Sequence, residues 1–191
     1  KGDAEDGAEI LRKFSRDTSI FEKTPVLVVS PKDTGDVSAL VQFAAERKKS
    51  GETISLTARG AGTDMSGGPL TDSVVVSFTK YMNAMRDIGA DYAIAEPGIY
   101  YRDFEKQTLA KNGMLLPPYP ASRELCTLGG MLANNAGGEL TLRYGKMESF
   151  VQELDMVLSD GSLATFRPLT ASDLAKKKAE QSLEGNIYWR M

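Results

Sequence analysis

The chain has 191 residues, 41% of them hydrophobic, with 26 acidic against 23 basic side chains and a formal net charge of −3. Its 18 glycines raise the apolar share to about half, the composition of a globular protein, so wholesale disorder is excluded, and the negative charge disfavours a generic nucleic-acid binder. One cysteine forbids an internal disulfide, and the lack of histidine removes His-based acid/base chemistry, Ser-His triads and zinc sites, leaving no metal expected.

In chain order, Pro25-Val26-Leu27-Val28-Val29-Ser30 is a short β-branched run closed by Pro31, the form of a buried strand. Val37, Leu40, Val41, Ala44 and Ala45 then recur at helical spacing, between Asp36 at the start and Lys48, Lys49 and Gly51 at the end, which predicts a helix whose apolar stripe faces a sheet. Ile54–Ala58 and Val74–Phe78 read as further strands, the first two strands pairing in parallel. A second lobe begins near Gly89 with a strand over Asp91–Glu96 and a helix from Tyr101 to Asn112 closed by Gly113. After the proline-rich Leu116–Pro120, a short helix is predicted over Thr127–Asn135. Glu153–Leu158 and Ser162–Phe166 follow as a hairpin, in which Asp160-Gly161 suggests a type I′ turn. Leu174–Gln181 reads as a solvated polar helix.

Two glycine-rich segments carry the chemistry. The first, Arg59-Gly60-Ala61-Gly62-Thr63-Asp64-Met65-Ser66-Gly67-Gly68, follows the second strand directly, where successive N–H groups form a concave anion site that needs few lysines. It is neither a Rossmann fingerprint, whose third glycine is replaced by Met65, nor a Walker A motif, which needs Gly-Lys-Ser/Thr. The second runs from Pro120 to Gly138, and its Gly129 and Gly130 lie near a helix N-terminus, where free N–H groups favour an anion or an electron-rich ring edge. For each segment taken alone, turn geometry or tight packing is an equally good explanation.

Together these residues resemble the FAD-binding domain of the vanillyl-alcohol oxidase and PCMH-type flavoproteins, in the branch of glycolate oxidase subunit, D-lactate dehydrogenase and D-2-hydroxyacid dehydrogenases. The resemblance covers about Asp17 to Arg167. Arg59, Gly60, Ala61, Gly62, Thr63, Asp64, Ser66, Gly67 and Gly68 match the family's pyrophosphate loop, and Pro97 and Gly98 its turn after the next strand. Pro120, Ser122, Cys126, Thr127, Leu128, Gly129, Gly130, Asn134, Ala136, Gly137 and Gly138, followed by Arg143-Tyr144-Gly145, match the run along the pyrophosphate and isoalloxazine. The fold so implied is α+β, a PCMH-type domain of two α/β subdomains. These are residues 24–88 and, incompletely, residues 89–167, flanked by an N-terminal arm 1–23 and a polar tail 168–191, with the cap domain absent.

The resemblance implies noncovalent FAD. Relatives that tether flavin through histidine carry it where Thr63 stands, and Cys126 reads as a small packing residue. Asp64 is unusual in a diphosphate loop; its carboxylate points away, accepts a ribose hydroxyl or pairs with Arg59. Arg143 and Lys80 are candidate cations near the cofactor, though such residues are more often surface charges. The implied activity is oxidation of a 2-hydroxy acid by hydride transfer to flavin N5, with the substrate reached through a cap, an electron-acceptor subunit allowed as partner and no catalytic base identifiable. The alternatives are a noncatalytic FAD-binding or assembly module, or another branch of the superfamily. No apolar run approaches the roughly 20 residues that span a bilayer, so a cytoplasmic location is expected, peripheral to a membrane only through partners. The chain starts without Met and stops at Tyr188-Trp189-Arg190-Met191, which reads as a piece of something longer.

Overall fold

The computed structural model describes all 191 residues. Eight strands are formed: β1 (Asp3–Glu5), β2 (Leu27–Ser30), β3 (Leu56–Arg59), β4 (Val74–Ser77), β5 (Met85–Ile88), β6 (Ala93–Ala95), β7 (Leu154–Val157) and β8 (Leu163–Phe166). Seven α-helices join them: α1 (Ala8–Phe14), α2 (Thr34–Lys49), α3 (Tyr101–Asn112), α4 (Leu128–Ala133), α5 (Thr141–Tyr144), α6 (Ala171–Ala179) and α7 (Leu183–Arg190), with a 3-10 turn at Met147–Phe150. The residues group into two compact units, 1–33 with 55–150, and 34–54 with 151–191.

The larger unit is built on a four-stranded sheet in the order β1-β2-β4-β3. The expected parallel neighbours β2 and β3 do run parallel, but β4 lies between them, pairing Val74 with both Leu27 and Leu56. The reason is in the side chains: Val74-Val75-Val76-Ser77 is buried at every position, the pattern of a central strand covered on both faces. Residues 1–23, expected as an arm, supply the edge strand β1, antiparallel to β2, and the helix α1. Their charged composition conceals this. Asp3 and Glu5 are held by Lys80, and Asp3 also accepts a hydrogen bond from the Tyr81 hydroxyl at 2.7 Å, partners that no local pattern reveals.

Beyond the sheet, β5 and β6 form a two-stranded ladder with an irregularity between Met85 and Asp87; β5 was not anticipated, because Met-Arg-Asp-Ile carries no β-branched run. The helix α3 has the expected ends, closed by Gly113 in the left-handed region (φ 71°), whose N–H reaches the Leu109 carbonyl. Its inward face is Tyr101, Phe104, Glu105 and Thr108. Gly98 sits where the chain turns into this helix, with its N–H on the Met82 carbonyl at 2.8 Å. A Cβ there would lie 2.1 Å from the Phe78 carbonyl oxygen.

In the smaller unit α2 lies along β7, β7 pairs antiparallel with β8, and the Ser38 hydroxyl of α2 donates to the Gly161 carbonyl in the hairpin turn. The turn is not type I′. Asp160 has negative φ and only Gly161 is left-handed (φ 83°), while Leu158 and Ser162 close a three-residue loop through a 2.8 Å bond. Such a loop places a single glycine in the left-handed position after a type I turn. The Asp160 carboxylate braces it by accepting from the Ser162 N–H and hydroxyl. The rings of Phe166 and Tyr188 join β8 to α7 at 5.7 Å, and α7, unforeseen from sequence, is capped by the Ser182 hydroxyl on the Gly185 N–H.

Because the obstacle at Gly98 is main-chain carbonyl, which cannot swing aside, Gly98→Ala is expected to cost about 3 kcal/mol of stability. Gly113→Ala meets no atom within 4 Å and suffers only the left-handed backbone penalty, about 1–2 kcal/mol. Urea denaturation should rank the two in that order; equal midpoints would contradict the packing assigned to Gly98.

Candidate cofactor-binding site

Every candidate residue falls in the larger unit. The first loop leaves the carboxyl end of β3, the end of parallel strands at which ligands bind in open α/β sheets. Gly62 (φ 73°) and Gly67 (φ 83°) are left-handed, which bends the chain back on itself twice within six residues. The N–H groups of Gly60, Ala61, Gly62 and Thr63 make no hydrogen bond within the chain, whereas the carbonyls of Thr63 and Asp64 accept from the Thr18 hydroxyl at 3.0 and 2.8 Å. Backbone donors are thus left open at the start of the loop while its later carbonyls are tied to Thr18, an arrangement compatible with an anion cradle.

Asp64 takes the first of its three readings. Its Oδ2 turns into the loop and accepts from the Ser66 N–H, the Ser66 hydroxyl and the Gly68 N–H at 3.0, 2.7 and 2.8 Å. Chiefly the Ser66 hydroxyl, then the Gly68 N–H, hold this carboxyl below its ordinary range. Its charge is spent inside the turn 64–68, and it does not pair with Arg59. Arg59 itself is buried and faces away from the loop's open side, donating to the carbonyls of Phe14 and Arg16. The residue thus belongs to the loop by its backbone, while its guanidinium belongs to the interior.

The two glycine-rich segments meet. A Cβ on Gly60 would lie 2.1 Å from the Thr127 hydroxyl oxygen, so the start of the first loop rests on the N-cap of α4. Thr127 is 1% exposed, is bridged to Tyr100, and its hydroxyl accepts from the Gly130 N–H at 3.2 Å. The expected free N–H groups at this helix start are not free. Leu128 donates to the Ile99 carbonyl, Gly129 to Pro97 and Gly130 to Thr127. A Cβ on Gly129 would strike the Pro97 carbonyl at 2.8 Å, so that glycine and the Pro97-Gly98 turn serve the joint between segments. A Cβ on Gly138 would likewise lie 2.1 Å from the Tyr119 carbonyl oxygen and close to Pro120, and the Gly138 N–H goes to the Thr141 hydroxyl.

In the rest of the second run, Ser122 accepts at its carbonyl from the N–H groups of Leu125 and Cys126. Cys126 is buried, and burial pushes its thiol upward, so it is a packing residue and a poor nucleophile. Asn134 is exposed, Ala136 is buried with its N–H on Met131, and the Gly137 N–H is left without a partner in the chain. Asn135, within the second segment, is the one non-glycine residue with positive φ (44°), a conformation sequence reading did not foresee, and is held by reciprocal hydrogen bonds with Glu148. An Asn before Ala-Gly-Gly is the signal that could have found it. Of the candidate cations, Lys80 is engaged by Asp3 and Glu5, and Arg143 lies over the Tyr144 ring at 5.2 Å. No group of residues that could hold a metal ion is present.

The chain is 34% identical over 155 residues to D-lactate dehydrogenase of Archaeoglobus fulgidus, covering 75% of this chain and 33% of that protein. To D-2-hydroxyglutarate dehydrogenase of Escherichia coli it is 30% identical over 177 residues, 92% of this chain and 17% of that one. The chain thus spans about a third, or less, of the curated relatives it matches. Among solved structures, an alkyldihydroxyacetonephosphate synthase shares the fold with a TM-score of 0.73 at 23% identity, over 90% of this chain and 34% of that one. The sequence pattern of the FAD binding domain matches residues 25–167, which include both glycine-rich segments and the contact between them, and the chain belongs to that family.

Proposed function

We propose that this chain is the FAD-binding portion of a flavin-dependent oxidoreductase that oxidises a 2-hydroxy acid and holds FAD noncovalently. The observation that carries the reading is the row of four unpartnered N–H groups, Gly60 to Thr63, at the end of a parallel strand and in contact with the second glycine-rich segment. That arrangement fits a diphosphate: it offers donors without side chains in the way, in a chain whose net charge is negative. The names of the similar proteins, a D-lactate dehydrogenase and a D-2-hydroxyglutarate dehydrogenase, support the substrate class. Bound there, FAD supplies the two-electron acceptor that oxidation of a carbinol carbon requires and that no side chain provides. The chain's own part is to fix the diphosphate through backbone donors, to keep Cys126 inert by burial, and to offer no histidine for a covalent bond at Thr63.

Ala61→Asp places a carboxylate among the donors without touching a glycine. FAD affinity is expected to fall at least tenfold, about 1.4 kcal/mol, with the melting temperature of the FAD-free protein unchanged. Undiminished affinity would remove the loop from the site. Gly129→Val is no substitute for this test, since its side chain meets Pro97 before any ligand. Acid precipitation should release all flavin to the supernatant, and flavin retained by the precipitate would demonstrate a covalent tether. In the polypeptide encoded by the whole gene, D-lactate, glycolate or D-2-hydroxyglutarate should bleach the flavin band; flavin reduced by none of them would mark a noncatalytic module.

Loop 64–68 gives a pH signature. Because the folded-state pKa of Asp64 is lowered, its contribution is complete above the unfolded value of about 3.9 and is lost as pH falls through the lower folded value. The amide resonances of Ser66 and Gly68 should therefore titrate with midpoints below about 3.9. Midpoints above that value would show that the carboxylate is not held as described.

A further inference from the structure

Arg59 presents an arrangement that the binding reading leaves unused. It is 7% exposed, stands at the last position of β3, and makes no ion pair. Its guanidinium donates to the Arg16 carbonyl at 2.6 Å and the Phe14 carbonyl at 3.3 Å, and lies over the Phe14 ring at 5.2 Å. These are the last carbonyl of α1 and one just beyond it, a helix end that favours a cation. On its other side the guanidinium touches Gly62, where a Cβ would come within 2.3 Å of Nη2. The nearest acidic influence is Asp17, whose Oδ1 is occupied by Ser19 and whose Oδ2 is buried without a hydrogen-bond partner.

A buried cation held by carbonyl dipoles and an aromatic ring, without an ion pair, is costly unless something else gains from it. Here one plane of the guanidinium backs the loop at its left-handed glycine, and the loop's unpartnered N–H groups, Gly60 to Thr63, belong to the same turn. We propose that Arg59 is a positioning residue for the diphosphate. Anchored on the end of α1, its planar fork fixes the bend at Gly62, so that four backbone donors are set before the anion arrives, and its positive charge, with Asp17 as its nearest acidic neighbour, adds to the attraction from behind the loop. The inference rests on the FAD-binding reading and specifies which side chain makes it work. It also gives α1 a role, since the helix end is what Arg59 grips. Lysine cannot replace arginine here, because one ammonium lacks the planar fork that reaches two carbonyls while lying flat against Gly62.

The test is FAD titration of the 191-residue chain and its Arg59→Lys and Arg59→Met variants, with phosphorus NMR of the bound FAD and melting of each FAD-free protein. Arg59→Lys keeps the charge and is expected to bind FAD at least fivefold more weakly, with displaced diphosphate resonances and an unchanged isoalloxazine visible band. Arg59→Met is expected to be weaker again and to show a shallower loss of affinity with added salt. Should Arg59→Met fail to fold, the lysine variant decides. Wild-type affinity and unshifted phosphorus resonances in Arg59→Lys would overturn the proposal while leaving the FAD reading intact. Failure of the wild-type chain to bind FAD would take both down together.

Discussion

The close approach of glycine backbone to the Thr127 side chain and to the Pro97 carbonyl, around the joint between the two glycine-rich segments, is the constraint on which the rest depends. Gly60 can rest on Thr127 only because it has no Cβ, and Gly129 can donate to the Pro97 carbonyl only for the same reason. Thr127 is the pivot: buried, bridged to Tyr100, and capping α4 with its hydroxyl. Each of these contacts consumes a donor or fills a gap, while the N–H groups of Gly60 through Thr63 stay without a partner in the chain. The anion site is what is left over when the joint has been satisfied.

The glycines accordingly divide into two kinds that look alike on paper. Gly98, Gly129 and Gly138 are small because carbonyl oxygens of Phe78, Pro97 and Tyr119 occupy the space a side chain would need. Gly62 and Gly67 are glycine because the backbone is left-handed there. The first kind builds the frame and the second shapes the loop, so a substitution in either class disturbs binding through a different physical route. Only the second kind bears on the ligand face directly.

Electrostatically, the chain carries more acidic than basic residues, yet the carboxylate inside the first loop is tied up within that loop. Asp64 is turned inward onto Ser66 and Gly68, and Asp3 and Glu5 are engaged by Lys80. Net charge is a sum over the surface, whereas an anion senses the groups within a few ångströms, here backbone N–H dipoles. The mild overall negativity and the anion site are therefore compatible.

Local sequence determined the helix Tyr101–Asn112 with its Gly113 stop, the buried valine strand, the hairpin around Gly161 and both glycine-rich segments, because each depends on side-chain periodicity or backbone freedom within a few residues. It determined, too, that no histidyl flavin bond can form, since that is a matter of composition. Tertiary structure alone decided that β4 separates β2 from β3, that Lys1–Phe14 contributes an edge strand and a helix, and that Arg59 faces inward. It likewise decided which N–H groups at the two segments stay free: those at the start of α4 are taken by Pro97 and Ile99, carbonyls some thirty residues back in the chain, and no local pattern reports a partner that distant.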